Sequence, residues 1–291
     1  MAVTASLILA RDGVGDAIKL AAKAWNKALP GLRAWREGPS GCALARDPLF
    51  LALLRQTIVA DEATELLVVA LRRLLLEAAL AGVSFDHDLA AAIAGQAFAA
   101  EFVLAESKTE ARALAALPDS VESALAWAMY RPLGARAGAE ALRGQSAPLD
   151  EQMRRQVDEP AQEQVLANAV PALTAIEDSV SRAVRQQYED NPYPRWRAIV
   201  RRPARKLAEV VAELFPAVPA DTLPATPPRI LVAGCGTGRH ALAVAYRYAE
   251  AGILAVDLSR ASLGYALRRT RELGVDNIRY CQADILSLGA I

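Results

Sequence analysis

At 291 residues the chain is long enough for two domains, each burying its own core. Its composition, 53% hydrophobic and 23% charged, is that of a globular protein and excludes a disordered one. The 33 Lys and Arg match the 33 Asp and Glu, so no global field draws the chain to DNA or to an anionic membrane.

Residues 1–180 read as helix after helix, rich in Ala, Leu, Glu and Arg, which are strong helix formers. The clearest begins at Asp61 as N-cap and runs through Leu66, Leu67, Ala70, Leu71, Leu74, Leu75 and Ala78 to a stop at Gly82. Those apolar residues fall on one face, while Glu65, Arg72, Arg73 and Glu77 mostly fall elsewhere. A second helix is expected from near Asp88 through Ile93, Phe98 and Phe102 to Leu104. Further helices are expected over 120–130, 137–142, 161–170 and 178–188. No internal repeat recurs at a fixed period.

The composition changes at QYEDNPYPRW, where Pro192 and Pro194 push Asn191 and Tyr193 to extended geometry. This segment is either a lid, with Tyr188, Tyr193, Arg195 or Trp196 reaching a site, or an aromatic clasp that docks the helical part. One more helix is expected over 203–214, and a proline-rich connector follows to Pro228.

From Arg229 the pattern is strand, glycine turn, helix, strand, helix, strand. The run Ile230–Ala233 reads as a strand buried on both faces of a parallel sheet. It enters Gly234-Cys235-Gly236-Thr237-Gly238, and a helix with Ala241, Val244 and Ala245 inward follows. A second strand, Ile253–Val256, closes at Asp257; Ser259 then caps a helix through Leu263, Ala266 and Leu267 to Gly274. A third strand, about 277–282, ends at Ala283-Asp284.

This is the layout of a nucleoside lying across the carboxyl ends of parallel strands. Glycines let the backbone approach the ligand, and the first N–H groups of the next helix face its polar end. Asp257 is placed to accept from both ribose hydroxyls, and Asp284 from the exocyclic amine of adenine. A dinucleotide fingerprint would need its third glycine at position 239, where Arg239 stands; no Gly-Lys-Ser/Thr makes a phosphate loop. Arg239 and His240 read as exposed first-turn residues, and Cys235 as a small residue without a nucleophilic role. Cys42, Cys235 and Cys281 form no disulfide framework, and with His87 and His240 they make no metal set. His87 reads as a solvated loop or cap residue. The N-terminus is not a secretory signal, no stretch reaches the roughly 18 apolar residues of a membrane span, and the cytoplasm is the expected compartment.

RILVAGCGTG, AVDLS and QADIL resemble the first three strand-end motifs of class I methyltransferases. The resemblance implies S-adenosylmethionine as cofactor, with Gly234 and Gly236 against its methionine part and Ala233, Cys235, Gly238 and Leu258 also among the cofactor-binding residues. It further implies Asp257 on the ribose, and Asp284 with Ile285 at the adenine. Many members carry an acid two positions before the first glycine; here Val232 stands there. DPLFLALLRQTIVADEATELLVVALRRLLLEAA, the stretch from Gln96 to Val103 and SRAVRQQYEDNPYPRW are similar to bacterial methyltransferases associated with tetratricopeptide repeats.

The fold expected is therefore an α-helical N-terminal domain, 1–180, then a linker and cap segment, 181–228, then the first three strands of a Rossmann-like methyltransferase domain, 229–291. Such domains have seven strands, and the fourth and its following motif hold the acceptor. The expectation is thus a truncated enzyme, inactive alone, with a small molecule, protein or RNA as acceptor. The alternative is a non-catalytic helical interaction protein, binding a protein partner through its helices and keeping a vestigial nucleoside site.

Overall fold

The computed structural model describes residues 47–190, 192, 194–217, 219 and 226–290. Cys42, Asn191 and Tyr193 lie outside the described residues, as does the expected helical structure before residue 47. The chain forms two compact units, Met1–Glu159 and Pro160–Ile291.

The first unit is helical throughout its described part. α1 (Pro48–Gln56) is capped by Asp47, whose carboxylate accepts the N–H groups of Leu49 and Phe50 at 2.9 and 3.1 Å. α2 (Glu62–Leu80) starts where the sequence predicts, with Asp61 accepting from Thr64 N–H at 3.0 Å. It also ends as predicted, at Gly82 in left-handed geometry, with Val83 N–H donating back to the Ala78 carbonyl. Leu67, Leu71 and Leu75 are fully buried on its inner face, but Leu66 turns outward and is 59% exposed. Arg72, expected outside, is buried instead, because its guanidinium stacks 4.0 Å from the Tyr130 ring centroid and donates to the Ala105 carbonyl.

α3 (His87–Ala99) is capped by Asp86 and stops five residues short of Leu104. Glu101, at φ 53°, takes the left-handed closing position usually given to glycine, and Phe102 N–H bonds back to the Ala97 carbonyl. No glycine marks that stop, which is why the apolar spacing of Phe98 and Phe102 ran past it. His87 is the first residue of this helix, half-buried, with its ring nitrogens 3.0 Å from Ser146 Oγ and 3.4 Å from Glu122 Oε1. α4 (Lys108–Ala115) and α5 (Val121–Ala128) follow, each opened by a capping serine. The stretch expected as a helix over 137–142 is a short 3₁₀ turn, Ala139–Leu142. α6 (Ala147–Met153) runs into a single π turn, Arg154–Asp158. Leu89, Ile93, Leu125 and Met129 join the α2 leucines in one core.

In the second unit, α7 (Glu159–Ala169) and α8 (Ser179–Asp190) precede α9 (Leu207–Leu214). The last of these begins four residues later than expected. β1 (Arg229–Ala233), α10 (Arg239–Arg247), β2 (Gly252–Asp257), α11 (Arg260–Glu272) and β3 (Ile278–Gln282) then follow in the predicted order. The strands form a parallel sheet ordered β1-β2-β3, with Val232 opposite Ala255 and Ala255 opposite Tyr280. Strands added in one direction through right-handed crossovers put both helices on the same face. Accordingly Val232, Ile253, Ala255 and Tyr280 pack with Ala241, Ala245, Leu263 and Ala266 in one cluster.

The opposite face corrects the expectation of a doubly buried β1. Leu231, on that face, is 52% exposed, and β1 pairs only with β2 among the described residues. Only the carboxyl-end half of the face is closed, where Val256, Cys281 and Ala283 meet Leu173 and Leu288. Leu173 arrives there because residues 171–173 line up along the free edge of β3. The Gln282 N–H donates to the Pro171 carbonyl and the Leu173 N–H to the Gln282 carbonyl, each at 2.8 Å.

Gly238 fixes how closely α11 approaches the glycine turn. A Cβ there would lie 2.6 Å from Ala266 Cβ and 2.9 Å from the Tyr280 hydroxyl, at a φ of +81°. Gly238→Ala therefore combines left-handed strain with overpacking, and is expected to lower stability by about 2–4 kcal/mol. Gly234→Ala, with nothing within 4 Å, carries the backbone strain alone. Its expected loss is about 1–2 kcal/mol. Chemical denaturation of the two variants checks this; equal midpoints would remove the packing role of Gly238.

Candidate functional site

The site is built at the carboxyl end of the sheet, where β1 and β2 stop beside one another. β1 passes into a bend in which Gly234 and Gly236 both have left-handed φ, +69° and +51°. The bend is tied to β2 by Cys235 N–H, which donates to the Val256 carbonyl at 2.9 Å. Asp257, the last residue of β2, completes the tie. Its Oδ2 accepts the Gly236 N–H at 2.7 Å, and its Oδ1 accepts the Ser259 N–H at 3.0 Å. One carboxylate thus fixes both the glycine bend and the turn that starts α11.

Above Gly234 and Gly236 there is open space: a Cβ on either would meet nothing within 4 Å. Gly238, two residues further on in the same motif, is instead buried against α11 and faces no such space. The three glycines therefore divide their work. Two leave room over the bend, and the third serves packing. Cys235 is buried, and burial pushes its thiol pKa well up, with the Asp257 charge acting in the same direction. It stays a neutral thiol at neutral pH. Arg239 and His240 are exposed in the first turn of α10, whose start no side chain caps.

Asp284 stands two residues beyond Gln282, the partner of Asp257 across the sheet, and the Ala283 N–H donates to the Asp257 carbonyl at 3.0 Å. The two acids thus share one end of the sheet. Asp284 is only 1% exposed, however. Its Oδ1 accepts the Leu286 N–H at 3.0 Å, and its own N–H donates to Thr174 Oγ1 at 2.7 Å. Its first task is to hold the 3₁₀ turn Ile285–Ala290 against the strap before α8. That turn presents Ile285 at 51% exposure, and Leu258 lies half-buried beside Asp257.

Several residues that shape the site gave no local signal in the sequence. The Glu189 carboxylate accepts the N–H groups of Arg260 and Ala261, at 2.7 and 3.1 Å. It thereby satisfies the N-terminus of α11, where negative charge is favoured. The Tyr188 carbonyl accepts from Ser259 Oγ at 3.0 Å. Gln282 braces the same turn, donating to the Leu258 carbonyl at 2.9 Å and accepting from Arg260 Nε at 2.8 Å.

The PRW part of QYEDNPYPRW clasps the bend from behind. Trp196 Nε1 donates to the Thr237 carbonyl at 2.9 Å, and Thr237 Oγ1 donates to the Pro194 carbonyl at 2.8 Å. Trp196 is 4% exposed and packs edge-on to Tyr265, whose hydroxyl donates to the Trp196 carbonyl. Arg195 pairs with buried Glu163 at 2.9 Å, and Glu163 also holds Arg268 at 2.8 Å. Arg195 and Trp196 therefore pack and do not reach over the cradle.

Residues 230–290 match the methyltransferase domain family. That family typically binds S-adenosylmethionine. No curated protein matches the chain. No helix among the described residues is long and apolar enough to cross a membrane.

Glu189→Ala leaves two helix N–H groups without their acceptor, and is expected to lower stability by about 1–2 kcal/mol. Glu189→Gln keeps one acceptor oxygen and should lose less. Urea denaturation reads the order; an unchanged midpoint in Glu189→Ala would show that the cap contributes nothing.

Proposed function

We propose that the second unit binds S-adenosylmethionine over the Gly234–Gly238 bend and is the cofactor-holding part of a methyltransferase. The observation that carries this is the bond from Gly236 N–H to Asp257, which makes the bend and the acid at the tip of β2 one rigid piece. The residues fit the cofactor on two counts. The open space above Gly234 and Gly236 is a cradle that any side chain would fill. A carboxylate has about four acceptor sites, so after its two backbone N–H groups Asp257 keeps capacity for two ribose hydroxyls.

In this proposal Ala233, Gly234, Cys235 and Gly236 lie along the methionine part by their backbone. Leu258 and Ile285 offer apolar edges to the adenine. Asp284 fixes the turn that carries Ile285 and is the nearest carboxylate to the adenine amine. The cofactor supplies an electrophilic methyl group on a sulfonium. The chain's own contribution is placement, which in-line transfer chiefly requires. Cys235, held neutral and buried, offers no competing nucleophile beside that methyl group. The acceptor is a small molecule, a protein or an RNA. The similarity of residues 47–79 and 96–103, in the helical unit, and of 181–196 to bacterial methyltransferases associated with tetratricopeptide repeats extends the proposal to that unit, as a partner-binding surface.

Calorimetric titration of the full chain with S-adenosylmethionine tests it. Asp257→Ala removes both the ribose acceptor and the anchor of the bend, so affinity should fall by at least about tenfold. Asp257→Asn retains one acceptor oxygen and should fall between. Equal affinity in all three proteins, or no binding by the wild type, would contradict the assignment.

A further inference from the structure

Along α10, a cavity of about 420 Å³ lies between that helix and the extended stretch 199–202. It includes none of Gly234, Gly236 or Asp257, so it is separate from the cradle described above. Its polar wall is made of Arg202, Arg239, Arg247 and His240, and no carboxylate lines it. Arg202 and Arg239 form no salt bridge among the described residues. Arg247 is held in place by donating to the Pro203 carbonyl at 3.0 Å. The remaining wall is apolar and aromatic, with Ile199, Val244 and Tyr248.

Three guanidinium groups around one concavity, with no carboxylate among the described residues that line it, concentrate positive potential where an anion would sit. Guanidinium forks match the geometry of tetrahedral oxyanions and hold them by charge-assisted hydrogen bonds. The volume falls within the roughly 300–1,000 Å³ of small-molecule sites, enough for one ring together with an oxyanion. The favoured ligand is therefore small and discrete.

We propose that this cavity binds an organic phosphomonoester. Arg202, Arg239 and Arg247 take the phosphate, and Tyr248 with Val244 takes the ring that carries it. The site does not depend on the methyltransferase proposal, and its ligand is recognised by charge and by an apolar wall together.

The test is calorimetry on the full chain with three probes: phenyl phosphate, inorganic phosphate and phenol. Phenyl phosphate should bind at least about tenfold more tightly than inorganic phosphate, because only it also fills the apolar wall, and phenol should give no heat. Arg202→Gln removes one exposed guanidinium and should weaken phenyl phosphate about tenfold; Arg247→Gln should do the same. An excess of S-adenosylmethionine should leave phenyl phosphate binding by the wild type unchanged, which separates this site from the cradle. Equal affinity for phenyl phosphate and inorganic phosphate would overturn the proposal. So would affinity unaltered in both arginine variants.

Discussion

A glycine-rich bend has no shape of its own; it takes one only when something holds its freed N–H groups. Here the Asp257 carboxylate does so, accepting Gly236 N–H with one oxygen and Ser259 N–H with the other. That carboxylate links the open bend over Gly234 and Gly236 at the end of β1 to the turn between β2 and α11. Because its partners are backbone groups, the arrangement depends on no side chain other than that of Asp257 itself. Acceptor sites on the same oxygens remain for a ligand.

Around this centre the second unit adds braces that reach the bend from distant parts of the sequence. Glu189 caps α11, Gln282 holds the Leu258 carbonyl, and Trp196 with Thr237 closes the bend from behind. Buried Glu163, shared by Arg195 and Arg268, keeps the Trp196 segment in place. Removing one partner from such a buried ionic group leaves an uncompensated charge, which is why these residues act as a unit. Placement is what methyl transfer needs from a protein, so a site made mainly of positioning contacts is consistent with that chemistry.

The parts legible in the sequence were those coded by neighbouring residues. The order of strands and helices after Arg229, the Asp61 and Ser259 caps, the stop at Gly82 and the place of Asp257 all follow from local spacing and turn chemistry. What escaped depends on pairing across the chain. The exposure of Leu231 follows from the position of β1 in the sheet, which an apolar run cannot reveal. The helix end at Ala99 uses Glu101 in a conformation that its type seldom adopts. Gly238 belonged to a recognisable motif, yet its reason lies in Ala266 on another helix. QYEDNPYPRW was noticed for its prolines and aromatics, whereas Glu189, an unremarkable acid within it, makes the direct contacts with α11. Asp284 was readable as a strand-end acid, but not as one covered by Thr174 from a strap more than a hundred residues earlier.

The central claim is that Asp257 holds the bend in a form that receives a nucleoside. Amide NMR of chain labelled with ¹⁵N-glycine tests it most directly, by following the Gly234 and Gly236 resonances as S-adenosylhomocysteine is added. The account predicts a downfield Gly236 amide in the free protein, reflecting its bond to the carboxylate, with both resonances moving on titration while Gly252 stays fixed. A Gly236 amide at an ordinary shift that does not respond to ligand would contradict it.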